Sequence, residues 1–219
     1  MTCRLDLTNI YLWIKNSFNK NILEVVMKLE NLCSSIVVGI NKFNDVEAEN
    51  LVKASLLTGQ SLNDIGFLNV DTQKTKTVFV DQELIEKKKL KAGDIVFLSK
   101  GTNLRAAIVT AEQEQLNLLA PATCLVIKVN STVVLPEFLT VFLNSEYGQA
   151  VLTSLNRGTT IMNIPVSSLK DIEVNLPDLS KQEIIAQAFY QHYQALMLLE
   201  EMKKAHVKVM EATIQKLIA

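Results

Sequence analysis

The most regular alternation of apolar and polar residues covers residues 180–219, a stretch without a single Gly or Pro. Its apolar residues recur at intervals of about 3.5, the repeat of a helix that packs along another long helix. Ser180 and Glu183 have the spacing of a capping box. A helix of roughly 38 residues within this stretch would be about 57 Å long, so we expect it to project and to need a partner. Its predicted contact residues are Ile185, Phe189, Leu196, Leu199, Met202, Val209, Met210 and Leu217.

Residues 27–179 have a different pattern, in which short apolar segments alternate with polar turns. Apolar runs predict strands at 35–39, 77–80, 95–98, 106–110, 123–129 and 172–176. Helical spacing predicts short helices at 46–57, 82–89, 137–144 and 146–155. The fold class that follows is α+β, a mixed or partly closed sheet with short flanking helices and one long C-terminal helix of coiled-coil type. Residues 1–26 are predicted to be an N-terminal helical extension.

Composition and charge narrow the choice of partner only slightly. The net charge is −1, whereas a free-standing nucleic-acid-binding domain is usually basic, so any basic surface must be local. The three cysteines have no paired spacing, as is typical of a reducing cytoplasm. Charged residues interrupt the apolar N-terminal segment, which resembles neither a signal peptide nor a membrane span. We therefore expect a soluble, cytoplasmic protein.

The motifs of common enzymes are missing from the sequence. It contains no Gly-rich phosphate loop, no dinucleotide-binding fingerprint and no Gly-x-Ser-x-Gly elbow. His192 and His206 would lie about 21 Å apart along one helix, too far to share a metal. Pro177-Asp178 and Glu201-Met202-Lys203 match a loose nuclease signature, but their carboxylates would be about 30 Å apart. We expect no catalytic residue, no cofactor and no metal.

Four motifs, taken in order, resemble those of the specificity (S) subunits of type I restriction-modification enzymes. They occupy residues 91–101 (KAGDIVFLSKG), 136–149 (PEFLTVFLNSEYGQ), 158–172 (GTTIMNIPVSSLKDI) and 176–185 (LPDLSKQEII). The resemblance implies a target recognition domain at 27–179 and a spacer or dimerisation helix at 180–219. A complete member of that family has two such domains and two helices packed antiparallel. This chain has one of each and resembles a half-size S subunit.

The resemblance also implies a function, which is sequence-specific DNA recognition within a type I complex that acts at a split DNA target. The implied partners are double-stranded DNA, methyltransferase (M) subunits and, through them, the restriction (R) subunit, with a homodimer formed through the C-terminal helix. Catalysis would belong to those other polypeptides, so this chain would not be an enzyme. The alternative is a non-catalytic dimerisation or scaffold module with a degenerate recognition domain.

Residues that could bind DNA concentrate in one part of the sequence. Recognition requires basic side chains for phosphates and forked or amide side chains for base edges. Residues 71–105 hold eight basic and five acidic residues in an otherwise balanced chain, although Lys87 to Lys89 are explained more simply as a solvated helix face. The predicted DNA-binding residues are Lys74, Lys76, Lys100, Asn103, Arg105, Arg157, Thr159 and Thr160.

Overall fold

The computed structural model describes residues 25–71, 73–155 and 161–218. Its strands are β1 (Val25–Lys28), β2 (Cys33–Val38), β3 (Leu51–Leu57), β4 (Thr75–Asp81), β5 (Ile95–Leu98), β6 (Lys100–Gly101), β7 (Arg105–Ile108), β8 (Leu118–Leu119), β9 (Cys124–Val129), β10 (Met162–Asn163) and β11 (Glu173–Leu176). Its helices are α1 (Leu29–Leu32), α2 (Gln82–Lys88), α3 (Ala111–Glu114), α4 (Pro136–Asn144), α5 (Glu146–Ser154), α6 (Val166–Lys170) and α7 (Leu179–Ile218), and a 3-10 turn covers Gly59–Ser61. The predicted α+β class with a long C-terminal helix is confirmed.

A four-stranded antiparallel sheet with the strand order β2-β9-β5-β7 forms the centre of the domain. Successive side chains of a strand point to opposite faces, so β5 contributes to two cores. Ile95 and Phe97 enter the larger core, which includes Leu139 of α4. Val96 and Leu98 enter a second core. The continuous apolar run predicted as a strand at 95–98 is therefore a strand buried on both faces.

The second sheet has the strand order β4-β3-β8, with β3 antiparallel to β4 and parallel to β8. The helix predicted at 46–57 is therefore wrong, because residues 51–57 form β3. Its apolar spacing fits a helix locally, but strands on both sides supply its backbone hydrogen bonds, and this tertiary pairing overrides the local pattern. Ala54 and Leu56 point into a third core with Val78 and Val80 of β4.

The N-terminal boundary of the domain lies earlier than residue 27. Val25 and Val26 belong to β1 and are paired with Leu176 and Asn175 of β11. The globular domain therefore begins no later than residue 25. The rest of the predicted N-terminal extension, residues 1–24, lies outside the described residues.

Helix α7 begins at Leu179, one residue before the predicted start. The Asp178 carboxylate accepts hydrogen bonds from the Ser180 hydroxyl and, at 3.1 Å, from the Lys181 backbone N–H. These bonds stabilise the charged form and lower the pKa of Asp178 to about 2. The predicted Ser180–Glu183 capping box is therefore wrong, because Asp178 caps the helix and the Ser180 hydroxyl bonds to that cap.

Only the first part of α7 packs on the domain. Gln182 is completely buried, Phe189 is 7% exposed, and Ile185 packs against the larger core. Every residue from Met197 to Ile218 is exposed, a segment about 33 Å long. We call residues 197–218 the free half of α7. The helix therefore projects, as its length predicts.

An ion pair between a buried carboxylate and a partly exposed lysine closes the turn before β5. Asp94 is 5% exposed, and its two carboxylate oxygens lie 3.0 and 2.8 Å from Lys128 Nζ. One of these oxygens also accepts a hydrogen bond from the Lys91 backbone N–H at 2.9 Å. Asp94 is thus a turn residue with a charge partner on β9, and the pair holds the start of β5 against its neighbour.

The substitution Lys128→Met is expected to lower the free energy of unfolding by about 2–3 kcal/mol, because it leaves a buried carboxylate without its cation. Urea denaturation of the two proteins measures the difference. The double variant Asp94→Asn, Lys128→Met removes the charge as well and should recover at least half of the loss. Equal stability of Lys128→Met and the wild type would contradict this account of the turn.

Candidate nucleic-acid interface

Loops from both sheets meet at one end of the domain, which we call the loop end: residues 58–64, 71, 73–76, 99–105, 121–123 and β10. Leu57 at the end of β3 is opposite Thr75, and Leu98 at the end of β5 is opposite both Cys124 and Arg105. A Cβ atom added at Gly59 would lie 3.7 Å from the Leu98 side chain. The two sheets therefore bring their connecting loops to the same side.

Two hydroxyl groups join the 3-10 turn to the loop that carries Lys74. Thr58 Oγ1 donates to the Lys74 backbone oxygen at 2.8 Å, and the Ser61 hydroxyl donates to the same oxygen. Thr58 and Ser61 also form reciprocal capping bonds within the turn. The exposed Gln60 amide and the half-buried Lys74 are consequently carried on a braced loop.

The β6–β7 connection presents two further predicted residues. Lys100 and Asn103 are both exposed, and Lys100 is opposite Asn163 of β10. Both the backbone N–H and the hydroxyl of Ser99 donate to the Thr123 backbone oxygen, at 3.0 and 3.1 Å. Within the described parts of the chain, neither Lys100 nor Lys74 forms an ion pair, so both ammonium groups are free to meet an anion.

Two more of the predicted cations, Lys76 and Arg105, are already paired with carboxylates. Lys76 Nζ lies 2.8 Å from Asp45 and 4.9 Å from the centre of the Phe43 ring. Arg105 Nη1 lies 2.7 Å from Asp64, and the Arg105 side chain is 24% exposed. Its Nε is buried and has no hydrogen-bond partner among the described residues. The positive charges of Lys76 and Arg105 are therefore partly neutralised by carboxylates of the domain itself.

Arg157, Thr159 and Thr160 lie outside the described residues, so their predicted contact with DNA stays a prediction. The next described strand after them, β10, pairs with β6 at the loop end. The predicted dimerisation residues fall into two groups. Ile185 and Phe189 pack on the domain, and Leu196 is half-buried. The exposed remainder is Leu199, Met202, Val209, Met210 and Leu217.

The remaining chemistry of the described residues is limited. Burial raises the pKa of the Cys33 and Cys124 thiols to about 12, so both are protonated at neutral pH. Over residues 25–71, 73–155 and 161–218, no three His, Cys, Asp or Glu side chains are arranged to hold a metal ion. No helix in the same residues combines the length and hydropathy needed to cross a bilayer.

A family model described as "type I restriction modification DNA specificity domain" matches residues 25–209, most of the chain. The chain belongs to this family. The resemblance found in the sequence motifs is thereby confirmed, and the family gives the specificity domain a role in DNA sequence specificity. Specificity subunits are generally the non-catalytic component of their systems. No curated protein matches the chain.

Solved structures of type I systems have a similar fold. A chain from work on complex assembly and conformational transition of the type I R-M system gives a TM-score of 0.58 at 15% identity, over 91% of this chain and 50% of that chain. The HsdS subunit from Thermoanaerobacter tengcongensis gives 0.55 at 16%, over 85% and 46%. The S subunit from M. genitalium gives 0.52 at 19%, over 84% and 42%. The specificity domain thus spans about half the length of these chains, and the likeness concerns the fold alone.

Several residues that shape the loop end were not identified from the sequence. Asp64 neutralises Arg105 from 41 positions away, and Asn163 lies opposite Lys100 across β6 and β10. The turn at residues 58–61 is the exception, because Thr58, Gly59 and Ser61 are typical turn residues and indicate a loop there. Nothing local indicates the contacts of Asp64 and Asn163, since they depend on how distant segments pair.

The geometry predicts different effects for two of the cations in the specificity domain. Arg105→Ala is expected to lower the free energy of unfolding by about 1 kcal/mol, because it removes an ion pair and a packed side-chain stem. Lys100→Ala should change it by less than about 0.5 kcal/mol, as for other exposed positions. Thermal and urea unfolding measure both. If Lys100→Ala were the more damaging change, the structural roles assigned here would be reversed.

Proposed function

We propose that this specificity domain reads one half of a split DNA target with its loop end and directs methyltransferase subunits, and through them a restriction subunit, to that target. The free half of α7 pairs with the same segment of a second copy, and the resulting homodimer offers one recognition domain to each half of the target. The chain itself contributes no catalysis and no cofactor. It acts in the cytoplasm.

The observation that carries the DNA-binding proposal is the convergence of loops from both sheets at one end of a domain from a DNA specificity family. Lys74 and Lys100, which form no ion pair with any described residue, suit phosphate groups, and the exposed amides Gln60 and Asn103 suit base edges. The net charge of −1 fits a subunit that shares phosphate contacts with partners. Each neutralised phosphate adds to the affinity for DNA, so partner subunits can supply contacts that this chain does not make.

The proposal of a homodimer comes from the free half of α7. This segment exposes large apolar side chains, among them Leu199 at 59%, Met210 at 65% and Leu217 at 81%. Burial of such a side chain contributes about 1.5–3 kcal/mol, so pairing of two free halves would be strongly favoured. His206 and Thr213 interrupt the row of apolar residues that recur at intervals of about 3.5 along this helix. Polar residues at such positions can select the register of pairing and the partner.

A second candidate function is a scaffold that dimerises and docks other subunits without reading DNA. The pairing of Lys76 with Asp45 and of Arg105 with Asp64 favours it, because these cations have less charge to offer to phosphates. On this alternative the recognition loops have lost their sequence contacts, while the helix keeps its role in assembly.

The two candidates differ in the DNA modification that they direct. When the chain is co-expressed with its methyltransferase subunits, recognition predicts N6-methyladenine at a split motif in the host genome. A homodimer predicts a palindromic motif, because its two domains are identical. Two different half-sites would show that another specificity chain replaces the second copy. Retained assembly with no new methylation would support the scaffold and contradict recognition.

The unpaired lysines give a direct test of DNA contact. The double variant Lys74→Ala, Lys100→Ala is expected to weaken DNA binding and to reduce the slope of log K against log salt concentration by about 2, one phosphate contact for each lysine. Lys87→Ala is the matched control, because Lys87 pairs with Glu83 on α2, away from the loop end. Binding titrations at several salt concentrations measure the slopes. Equal slopes for all three proteins would contradict the assignment.

A further inference from the structure

The side-chain amide of Gln182 joins the start of α7 to two other segments of the domain. Its oxygen accepts the Leu135 backbone N–H at 2.8 Å, and its nitrogen donates to the backbone oxygens of Pro177 at 2.9 Å and Val133 at 3.3 Å. Gln182 is 0% exposed. An apolar residue there would leave three backbone groups in a buried region without these bonds, and this is costly.

A second contact lies two helical turns further along α7. The Phe189 ring stacks on Phe67 with 4.4 Å between centroids, and Tyr193 stacks on Phe67 at 3.9 Å. Gly66 makes this close approach possible. A Cβ atom at Gly66 would lie 2.9 Å from Thr140 Cγ2 and 3.1 Å from the Phe189 ring, and its φ of +107° is rarely adopted by other residues.

Together these contacts determine the direction of α7 relative to the recognition domain. Gln182 and Phe189 are about 10 Å apart along the helix axis, and the free half beyond them is about 33 Å long. Ile218, at the far end of the helix, lies about 44 Å beyond Phe189, so a rotation of about 10° at this junction would displace it by about 8 Å. That distance is more than two base-pair steps, because a turn of about 34–36 Å holds 10–10.5 base pairs.

We propose that Gln182 is a positioning residue that sets the number of base pairs between the two halves of the DNA target. This inference rests on the proposed function, in which two copies are joined through their free halves. Each recognition domain then lies at the end of a rigid arm, and the junction holds the loop end at one distance from the dimer axis. Gln182 itself touches no base and does not select the bases of a half-site.

The test compares three single variants of the full chain, each co-expressed with the methyltransferase subunits. Gln182→Met keeps the length of the side chain and loses the amide. Phe189→Leu keeps an apolar side chain and loses the stack on Phe67. Gln187→Met is the matched control, because Gln187 is exposed on the same helix. The measurement is the distribution of spacer lengths among methylated motifs, with circular dichroism and size-exclusion chromatography to establish folding and dimerisation.

The wild type and Gln187→Met are expected to methylate motifs of one spacer length. In Gln182→Met the preference for that length over lengths one base pair shorter or longer should fall by about five- to tenfold, because the junction loses the three amide hydrogen bonds but keeps the Phe189 stack. The bases of each half-site should not change. Phe189→Leu is expected to change the preference in the same direction.

The outcomes separate this inference from the proposed function. If folded, dimeric Gln182→Met and Phe189→Leu kept a single spacer length, or if their half-site bases changed, the positioning role would be refuted and the proposed function would stand. If Gln182→Met did not fold, Phe189→Leu would decide alone. If the wild type directed no methylation at a split motif, the proposed function and the inference would both fail.

Discussion

The pairing of β5 with β7 on one side and β9 on the other is the constraint on which the rest of the domain depends. Because β5 is buried on both faces, each of its faces supports a separate core. Its first residue follows the Asp94–Lys128 ion pair, and its last residue leads directly to Ser99 and the loop end. The location of the candidate DNA-binding surface is therefore a consequence of core packing, because the strands determine where the loops between them lie.

The cations of the loop end are of two kinds, those with a carboxylate partner and those without one, and residue type alone does not indicate which is which. Lys74 and Lys100 have no carboxylate partner in the described part of the chain, whereas Lys76 and Arg105 are paired with Asp45 and Asp64. Under the proposed function, this surface would offer free ammonium groups to phosphates at a few positions, while carboxylates partly neutralise its other cations. Such a surface suits a protein whose affinity comes partly from other subunits, because its contact with random DNA alone would be weak.

How much could be predicted from the sequence depends on how local each signal is. The apolar repeat of α7, the run in β5 and the helix at 137–144 are properties of neighbouring residues, and the structure has all three. Strand β3 was predicted as a helix because its partners lie elsewhere in the chain. For the same reason neither the Arg105–Asp64 pair nor the three hydrogen bonds of Gln182 could be predicted from spacing. Local sequence patterns therefore predict most helices and strands, whereas the contacts around the candidate site depend on pairing between distant segments of the chain.

In the proposed homodimer, the stability of the free half of α7 would depend on the concentration of the protein. An isolated helix gains little from its backbone hydrogen bonds in water, and most helical stability in proteins comes from packing. From Met197 onward, α7 has no such packing against residues 25–71, 73–155 or the rest of 161–218. At low abundance this segment would fray and become a substrate for cellular proteases, whereas mass action would protect it as soon as copies could pair. Assembly and turnover of the subunit would then be coupled through the free half of α7.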